Sequence, residues 1–401
     1  MNSNSSFLNC IEKFSQFCNI LDEYVELKNL WMINKELWNS DEHKLLCYLN
    51  LNKDKSKEYW ISKEFRDYIE SCVENPEKQI SLIYSSSEKI IDMSNINVHK
   101  LNIFNSNNLS DISCLGKIHT LDLSFCTQIK DVSMFGNVHT LNLSFCKGIT
   151  DVSALGNVHT LIVSHCKGIR DVSALGNVHT LDLSYCNDIR DVSSLGNVHT
   201  LTLLNCDGIT DVSSLGNVHT LNLKWCSEIR DVSCLGNVHT LDLSYCDKIT
   251  DVSKLGNVHM LSLSSCEGIT DVSRLGNVHT LILKWCYGIT DVSMLGNVHT
   301  LNLSRCYRIK DVSHLGKVHT LHLYGNFGIT DVSMLGNVHT LNLSSCAEIT
   351  DVSCLGNVHT LDISYCNITD VSFLGNVHTL TITGCPIEDT SCLKNVHTLI
   401  V

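Results

Sequence analysis

The chain has 401 residues, 18% of them charged and 43% apolar, with two prolines and a formal net charge of −13. Such a composition excludes an unstructured tail and supplies enough apolar side chains for a continuous core. No run of residues is long and apolar enough for a transmembrane helix, and the opening MNSNSSFLNCIEKFSQF has neither the basic start nor the apolar centre of a signal peptide.

Residues 1–90 differ from everything after them and read as a small helical region. Apolar residues recur at helical intervals (Leu8, Ile11, Phe14; Phe17, Ile20, Leu21; Leu27, Leu30, Ile33), and Asp41 and Ser62 are placed to cap further helices. From Val98 onward one sentence, V-H-T-L-x-L-S-x-C-x-x-I-T-D-V-S-x-L-G-N, is repeated about sixteen times. The period is 20 to Val358, and two copies of 19 begin at Val358 and Val377. A period near 20 is the mark of a solenoid. In the copy Val218–Asn237, Leu221 and Leu223 alternate with Thr220, Asn222 and Lys224 as a short strand does. Ile229, Val232 and Leu235 recur every third residue, which suits a 3₁₀-type return. Gly236 is expected to close the coil in a left-handed or tight turn. One coil cannot bury its own apolar side, so the copies must stack. Their strands should form one parallel sheet about 75 Å along its edge at ~4.8 Å per strand.

L-x-x-L-x-L-x-x-C-x-x-I-T-D, as in Val238 and Leu241 to Asp251, resembles the cysteine-containing leucine-rich repeat, and the ITDVSxLGN half resembles the short repeats of internalin-like proteins. The resemblance implies an α/β-type solenoid over residues 91–401, a horseshoe with a parallel concave sheet. Each copy is about six residues shorter than the usual cysteine-containing form, so the convex side is expected to be 3₁₀ helix and turn rather than α-helix. Within the first region, FCNILDEYVELKNLWMINKELWN resembles the later part of an F-box. Leu21, Leu27, Leu30, Ile33-Asn34-Lys35 and Trp38 fall where that family carries its leucines, its Val-Asn/Ser-Lys triplet and its Trp, although the family's Leu-Pro opening is absent. That resemblance implies that residues 8–40 dock a Skp-type adaptor of a cullin ubiquitin ligase while the array holds a substrate. The alternative is a helical cap shielding the first coil. Asn-, Ile- and Lys-rich text with near-identical copies suggests an AT-rich genome, such as that of an amoebal protist or a giant virus of amoebae.

Several residue types form ladders, one per copy. Fifteen of the 27 Asp and Glu in residues 91–401 are a single position, Asp111 through Asp351, then Asp370 and Asp389, so the acidity reads as architecture and names no partner. These aspartates are placed to cap the following turn; calcium binding is the disfavoured alternative. Thirteen of the 21 cysteines are likewise one position, Cys126 to Cys306, then Cys346, Cys366 and Cys385. Unpaired spacing of this kind suits single buried thiols in a reducing, cytoplasmic setting, and disulfide or redox use is disfavoured. Sixteen histidines, from His99 to His359, then His378 and His397, should stack on one another or bond backbone groups rather than hold a metal. The Asn ladder (Asn137, Asn157, Asn177) is expected to bond between coils. No catalytic motif stands out, so neither an enzyme nor a cofactor is expected. No basic stripe suggests nucleic acid, and a monomer is expected.

Information for a partner must sit where the copies differ. One variable position lies between the strand leucines (Asp122, Asn142, Ile162, Asp182 and onward). A second precedes the cysteine and is rich in aromatics: Phe125, Phe145, Tyr185, Trp225, Tyr245 and Trp285, ending in Arg305, with Lys224 and Lys284 beside two of them and Tyr324 in a coil where Asn326 replaces the cysteine. Aromatics and Arg dominate protein interfaces. These residues are therefore the expected contact stripe for a protein partner on the concave face and its rim, the alternative being that the rings only cover the edge of the core.

Overall fold

The computed structural model describes residues 49–71, 80–85, 98–106, 109 and 112–401. Leu21, Leu27, Leu30, Ile33 and Trp38, and with them all of residues 8–40, lie outside the described residues, as does Asp111. The chain divides into two compact units, residues 1–169 and 170–401.

In the first unit, helix α1 (Lys53–Ile61) begins at Asn52, whose side chain accepts the Lys55 N–H. Helix α2 (Lys63–Ser71) follows at once, and Ser62 serves as its cap by accepting the Phe65 N–H at 3.1 Å. The region read as helical also contains two strands, β1 (Leu49–Asn50) and β2 (Ile80–Ser85). In β2 Ile80, Ser81 and Leu82 are buried and Ile83 is exposed, and the strand is fixed by its pairing with its neighbours rather than by its own pattern. Ser56, fully buried on α1, donates to the Leu51 carbonyl and accepts the Ile83 N–H, tying the helix to both strand segments. Strand β1 pairs in parallel with β2, which pairs with β3 (Lys100–Phe104). Then come β4 (Thr120–Asp122), β5 (Thr140–Asn142) and β6 (Thr160–Ile162), all parallel, with Leu82, Leu101, Leu121, Leu141 and Leu161 in register.

The second unit carries twelve three-residue strands, β7 (Thr180–Asp182) to β18 (Thr398–Ile400), again parallel and in register, leucine against leucine. Each coil follows the reading of the sequence: in the copy beginning at Val218, Leu221, Leu223, Ile229, Val232 and Leu235 are all at most 1% exposed. The return is the 3₁₀ segment Ser233–Asn237. Where Lys254, Arg274 or Phe373 occupies its second position the segment opens to turns.

The constant residues are what let one coil lie on the next. Within each unit the ladder cysteine thiols donate to a carbonyl of the preceding coil, Cys226 to Leu203 and Cys246 to Leu223 at 3.0 and 3.2 Å, and burial pushes the Cys226 thiol up to about 12. Such thiols are inert, and among the described residues no disulfide is formed. Asn326 does the same work with its amide, donating to the Leu303 and Leu323 carbonyls, but its Oδ1 is buried without a hydrogen-bond partner. From Asp131 onward each ladder aspartate accepts the N–H two residues on, as Asp231 does from Ser233 at 2.9 Å, and this bond holds the Asp231 carboxyl below the usual range. The histidines form exposed files with ring centroids 4.4–4.7 Å apart, and where Thr follows the histidine, as His219 precedes Thr220, Nδ1 lies about 3.2 Å from its hydroxyl.

Two expectations fail. The closing glycines are right-handed (Gly136 at φ −59°, ψ −18°), so freedom of φ is not why they are glycine. A Cβ on Gly136 would stand 2.6 Å from the Ala154 carbonyl oxygen of the next coil, and one on Gly276 2.3 Å from that of Met294. The requirement is close approach between coils. The Asn ladder makes no inter-coil side-chain bond among the described residues: Asn137 and its equivalents are exposed at the outer end of the 3₁₀ segment, and the glycine beside them makes the close contact.

Two predictions follow from the ladders. Asn326→Cys should raise stability by about 1 kcal/mol, because it removes a buried acceptor that has no donor; denaturant titration measures it, and a lowered midpoint would refute the account. The His119, His239, His279 and His378 imidazoles are all depressed, first by partial burial and then by neighbouring imidazoles. A depressed histidine leaves the unfolded chain the better proton acceptor. Stability should therefore fall as pH drops through the unfolded value near ~6.5 and keep falling to the lower folded values. The aspartate bonds add a second loss as pH falls from about 3.8 through their depressed folded values. Thermal midpoints from pH 7 to 2 should show two descents, the first weakened by salt; a flat midpoint from pH 7 to 5 would exclude the histidine contribution.

Candidate functional site

The feature that organises the surface is a turn that the sequence did not announce. After most strands the cysteine N–H bonds back three residues, as Cys226 does to the Leu223 carbonyl, and the residue before the cysteine position is left-handed in every coil from Asn105 to Tyr365. The position before the cysteine is therefore the left-handed one: Phe125 at φ 63°, Tyr185 at 62°, Trp225 at 66°, Tyr245 at 64°, Trp285 and Arg305 at 63°. Glycine takes this position only at Gly325 and Gly384. For a bulky residue the conformation costs roughly 1–2 kcal/mol.

Two sets of contacts hold the turn. The first is polar. In nine coils the residue between the two buried strand residues is Asp or Asn, and its Oδ1 accepts the N–H two residues on, as in Asp122–Ser124, Asn142–Ser144 and Asp242–Ser244 at 2.9–3.0 Å. In these coils the residue at this variable position also shapes the turn. The second is aromatic. In the first unit Phe125 stacks on Phe145 (4.3 Å, 8°) and Phe145 on His165 (4.1 Å, 14°). In the second, Trp225 stacks on Tyr245 (3.8 Å, 8°) with the Lys224 ammonium 5.5 Å from the Tyr245 ring centre. Arg305 lies between Trp285 and Tyr324, its guanidinium 4.2 and 5.0 Å from their ring centres, and donates to the Tyr324 hydroxyl at 2.8 Å. A stacked pair contributes about 0.5–1.5 kcal/mol, close to what the left-handed conformation costs.

The expected stripe is thus not continuous. In the second unit Asn205 and Ser265 carry no ring and separate Tyr185, a Lys224–Trp225–Tyr245 patch and a Trp285–Arg305–Tyr324 patch, with Lys284 exposed beside the last. The last patch is larger than the sequence suggested. One residue beyond the cysteine, Tyr287, Tyr307 and Phe327 form a second file, stacked at 5.4 and 5.5 Å, and Tyr287 meets Trp285 edge to face. Phe327 is 53% exposed and Tyr307 38%. The signal was three aromatics exactly one repeat apart, visible once that position is aligned. Among the described residues no group of three or more His, Cys, Asp or Glu converges as a metal site.

The strain makes its own prediction. Ser265, at φ 57° and with no ring to stack, should tolerate glycine with a gain of about 0.5–1 kcal/mol, whereas Tyr245→Gly, which also removes the stack on Trp225, should not stabilise. Equal gains at both positions would show that the stacks contribute nothing.

A family model described as Leucine Rich repeat matches residues 237–253 and 357–372. No curated protein matches the chain. Among solved structures it is similar to a leucine-rich repeat protein of Leptospira interrogans (16% identity, covering 81% of this chain and 90% of that one, TM-score 0.50). It is also similar to the protein of a TLR13–ssRNA13 complex (17%, 88% and 60%, 0.51) and to an internalin from Listeria monocytogenes (24%, 63% and 83%, 0.47). At these identities the likeness is one of fold, and it agrees with the parallel leucine-in-register strands and their 3₁₀ returns: the chain is a leucine-rich repeat solenoid.

Proposed function

We propose that this chain is a protein-interaction module whose partner lies on the strand face and along the aromatic turns beside it. The observation that carries the reading is the placement of half-exposed Phe, Tyr, Trp and Arg side chains on strained turns in consecutive coils, where their conformations are fixed before any partner arrives. Rigid aromatic and Arg anchors lose little entropy on binding and tend to dominate interface energies. The TLR13 structure is a complex with RNA, so nucleic acid is an alternative ligand for the fold; the scarcity of cations among these turns favours protein.

As a finer reading we propose a substrate receptor of F-box type, acting in the cytoplasm, in which residues 8–40 dock a Skp-type adaptor. Its support is the spacing of Leu21, Leu27, Leu30, Ile33 and Trp38 and the repeat array that follows. A stand-alone scaffold is the competing reading. One capture experiment addresses both levels, using the full chain, a chain lacking residues 1–45, and the full chain with Trp225, Tyr245 and Trp285 changed to Ala. Removing residues 1–45 should lose a Skp-type adaptor and keep the array's partner; the triple change should do the reverse, weakening the array's partner about 100-fold or more. Full chain that recovers no adaptor removes the F-box reading, and unchanged partner affinity in the triple variant removes the rim.

A further inference from the structure

The patch around Arg305 differs from the rest of the array in charge as well as in aromatic content. Strand-and-turn residues 260–265, 280–285, 300–305, 320–325 and 340–345 include Lys284, Arg305 and His322 and no Asp or Glu. The strands that bound this stretch bring Asp242 and Asp362, and the chain as a whole carries −13. The sign of the surface is locally inverted. Among the described residues neither Lys284 nor Arg305 makes an ion pair, while three other pairs do form (Lys55–Glu58, Arg170–Asp188, Lys248–Glu228). One carboxylate adjoins the patch: Glu267 holds the same repeat position as Tyr287, Tyr307 and Phe327 in the coil before Tyr287, and its charge is felt by Tyr287.

Arg305 is held in a particular way. Trp285 of the preceding coil and Tyr324 of the following coil cover its guanidinium, and the Tyr324 hydroxyl takes one of its N–H groups. A guanidinium has five donors in one plane; the Tyr324 and Tyr307 hydroxyls both engage the Arg305 side chain, and stacking fixes its plane without using further donors, so the remaining ones are presented as a fork. A fork of this geometry matches a carboxylate in bidentate fashion. Lys284 adds a second charge one coil earlier, near enough to His322 to help depress its imidazole after burial has done so, which keeps His322 a neutral polar neighbour at pH 7. Beyond Arg305 the exposed Tyr307–Phe327 file offers apolar area next to the charged edge.

We propose that the surface of Lys284, Trp285, Arg305, Tyr307, Tyr324 and Phe327 binds an acidic peptide segment of the partner, Arg305 clamping one carboxylate, Lys284 facing a second and the Tyr307–Phe327 file taking an adjacent apolar side chain. This deepens the protein-binding reading and rests on it. Single-stranded nucleic acid fits less well: two cations are too few to track a phosphate backbone, and Arg305 already covers the ring faces of Trp285 and Tyr324 that a base would need.

The test uses the full chain and fluorescence anisotropy with a labelled random copolymer of glutamate and tyrosine, with polylysine and oligothymidine as comparisons, at low and moderate salt. The copolymer should bind, more weakly as salt rises, and polylysine should not compete for this patch. Lys284→Gln with Arg305→Gln should weaken copolymer binding by about tenfold or more, and Arg305→Lys, which keeps the charge and loses the fork, by about threefold or more. Lys254→Gln with Arg274→Gln, on the return turns, should change nothing. If the double variant shifts the thermal midpoint, Lys284→Gln alone decides, since Lys284 is exposed and makes no ion pair; a loss of about twofold or more is expected. No copolymer binding by the parent chain, binding within twofold of the parent in the decisive variant, or tighter binding of oligothymidine than of the copolymer would each overturn the proposal. A captured partner that depends on Trp225, Tyr245 and Trp285 but not on Lys284 or Arg305 would leave the rim reading in place and remove this one.

Discussion

Everything in the array answers to one distance, the strand spacing at which successive coils must lie. Backbone hydrogen bonds set that distance on the strand side, and identical register carries it through each unit. On the return side the same spacing leaves no room for a Cβ at Gly136 or Gly276. It brings the cysteine thiol within reach of a carbonyl twenty-three residues earlier and places imidazoles in van der Waals contact. A coil of 20 residues has no length for an α-helix, so its backbone groups are satisfied by a succession of three-residue turns, Leu223–Cys226, Cys226–Ile229, Val232–Leu235 and Leu235–Val238.

The spacing also explains how the chain tolerates large side chains in a left-handed turn. A Trp or Tyr there is unfavourable alone, but it is delivered directly above its counterpart in the neighbouring coil, and Trp225 on Tyr245 recovers in stacking about what the backbone loses. The surface that recognises a partner is thus built from the same repeat that holds the fold. Coils with Ser265 or Asn205 at this position keep the turn and give up the ring.

Much of this was legible in the sequence because a period of 20 with alternating leucines admits few structures. The strands, the buried Leu, Val, Ile and Cys ladders, the 3₁₀ returns and the Asp231-type caps all follow from local rules applied sixteen times. What was not legible depended on contacts between copies. Gly136 reads as a turn residue until the Ala154 carbonyl of the next coil is seen above it. Asn142 and Asp242 read as variable surface until they are seen to cap the turn. The left-handed position was hidden because glycine, its usual marker, is nearly absent there, and aromatics gave no local sign of it. The weak patterns of β1 and β2 were hidden by the surrounding helical text, and the pairing of β1 with β2 and of β2 with β3 decided them.

Near-identity between copies has a kinetic side. The coil that starts at Val218 offers the coil from Val258 almost the same surface as it offers its true neighbour from Val238. A stack that skips one copy forfeits one interface and extrudes a 20-residue loop, and loop closure grows only slowly with length. Misregistered stacks are therefore shallow traps, reached early and left slowly, as expected of repeat chains. Against them stand the few irregular coils: Asn326 beside Gly325, the bulky Arg305 between its two rings, and the 19-residue copies from Val358 and Val377. These break the translational symmetry, so the residues that distinguish one coil from the next also number the coils for the folding chain.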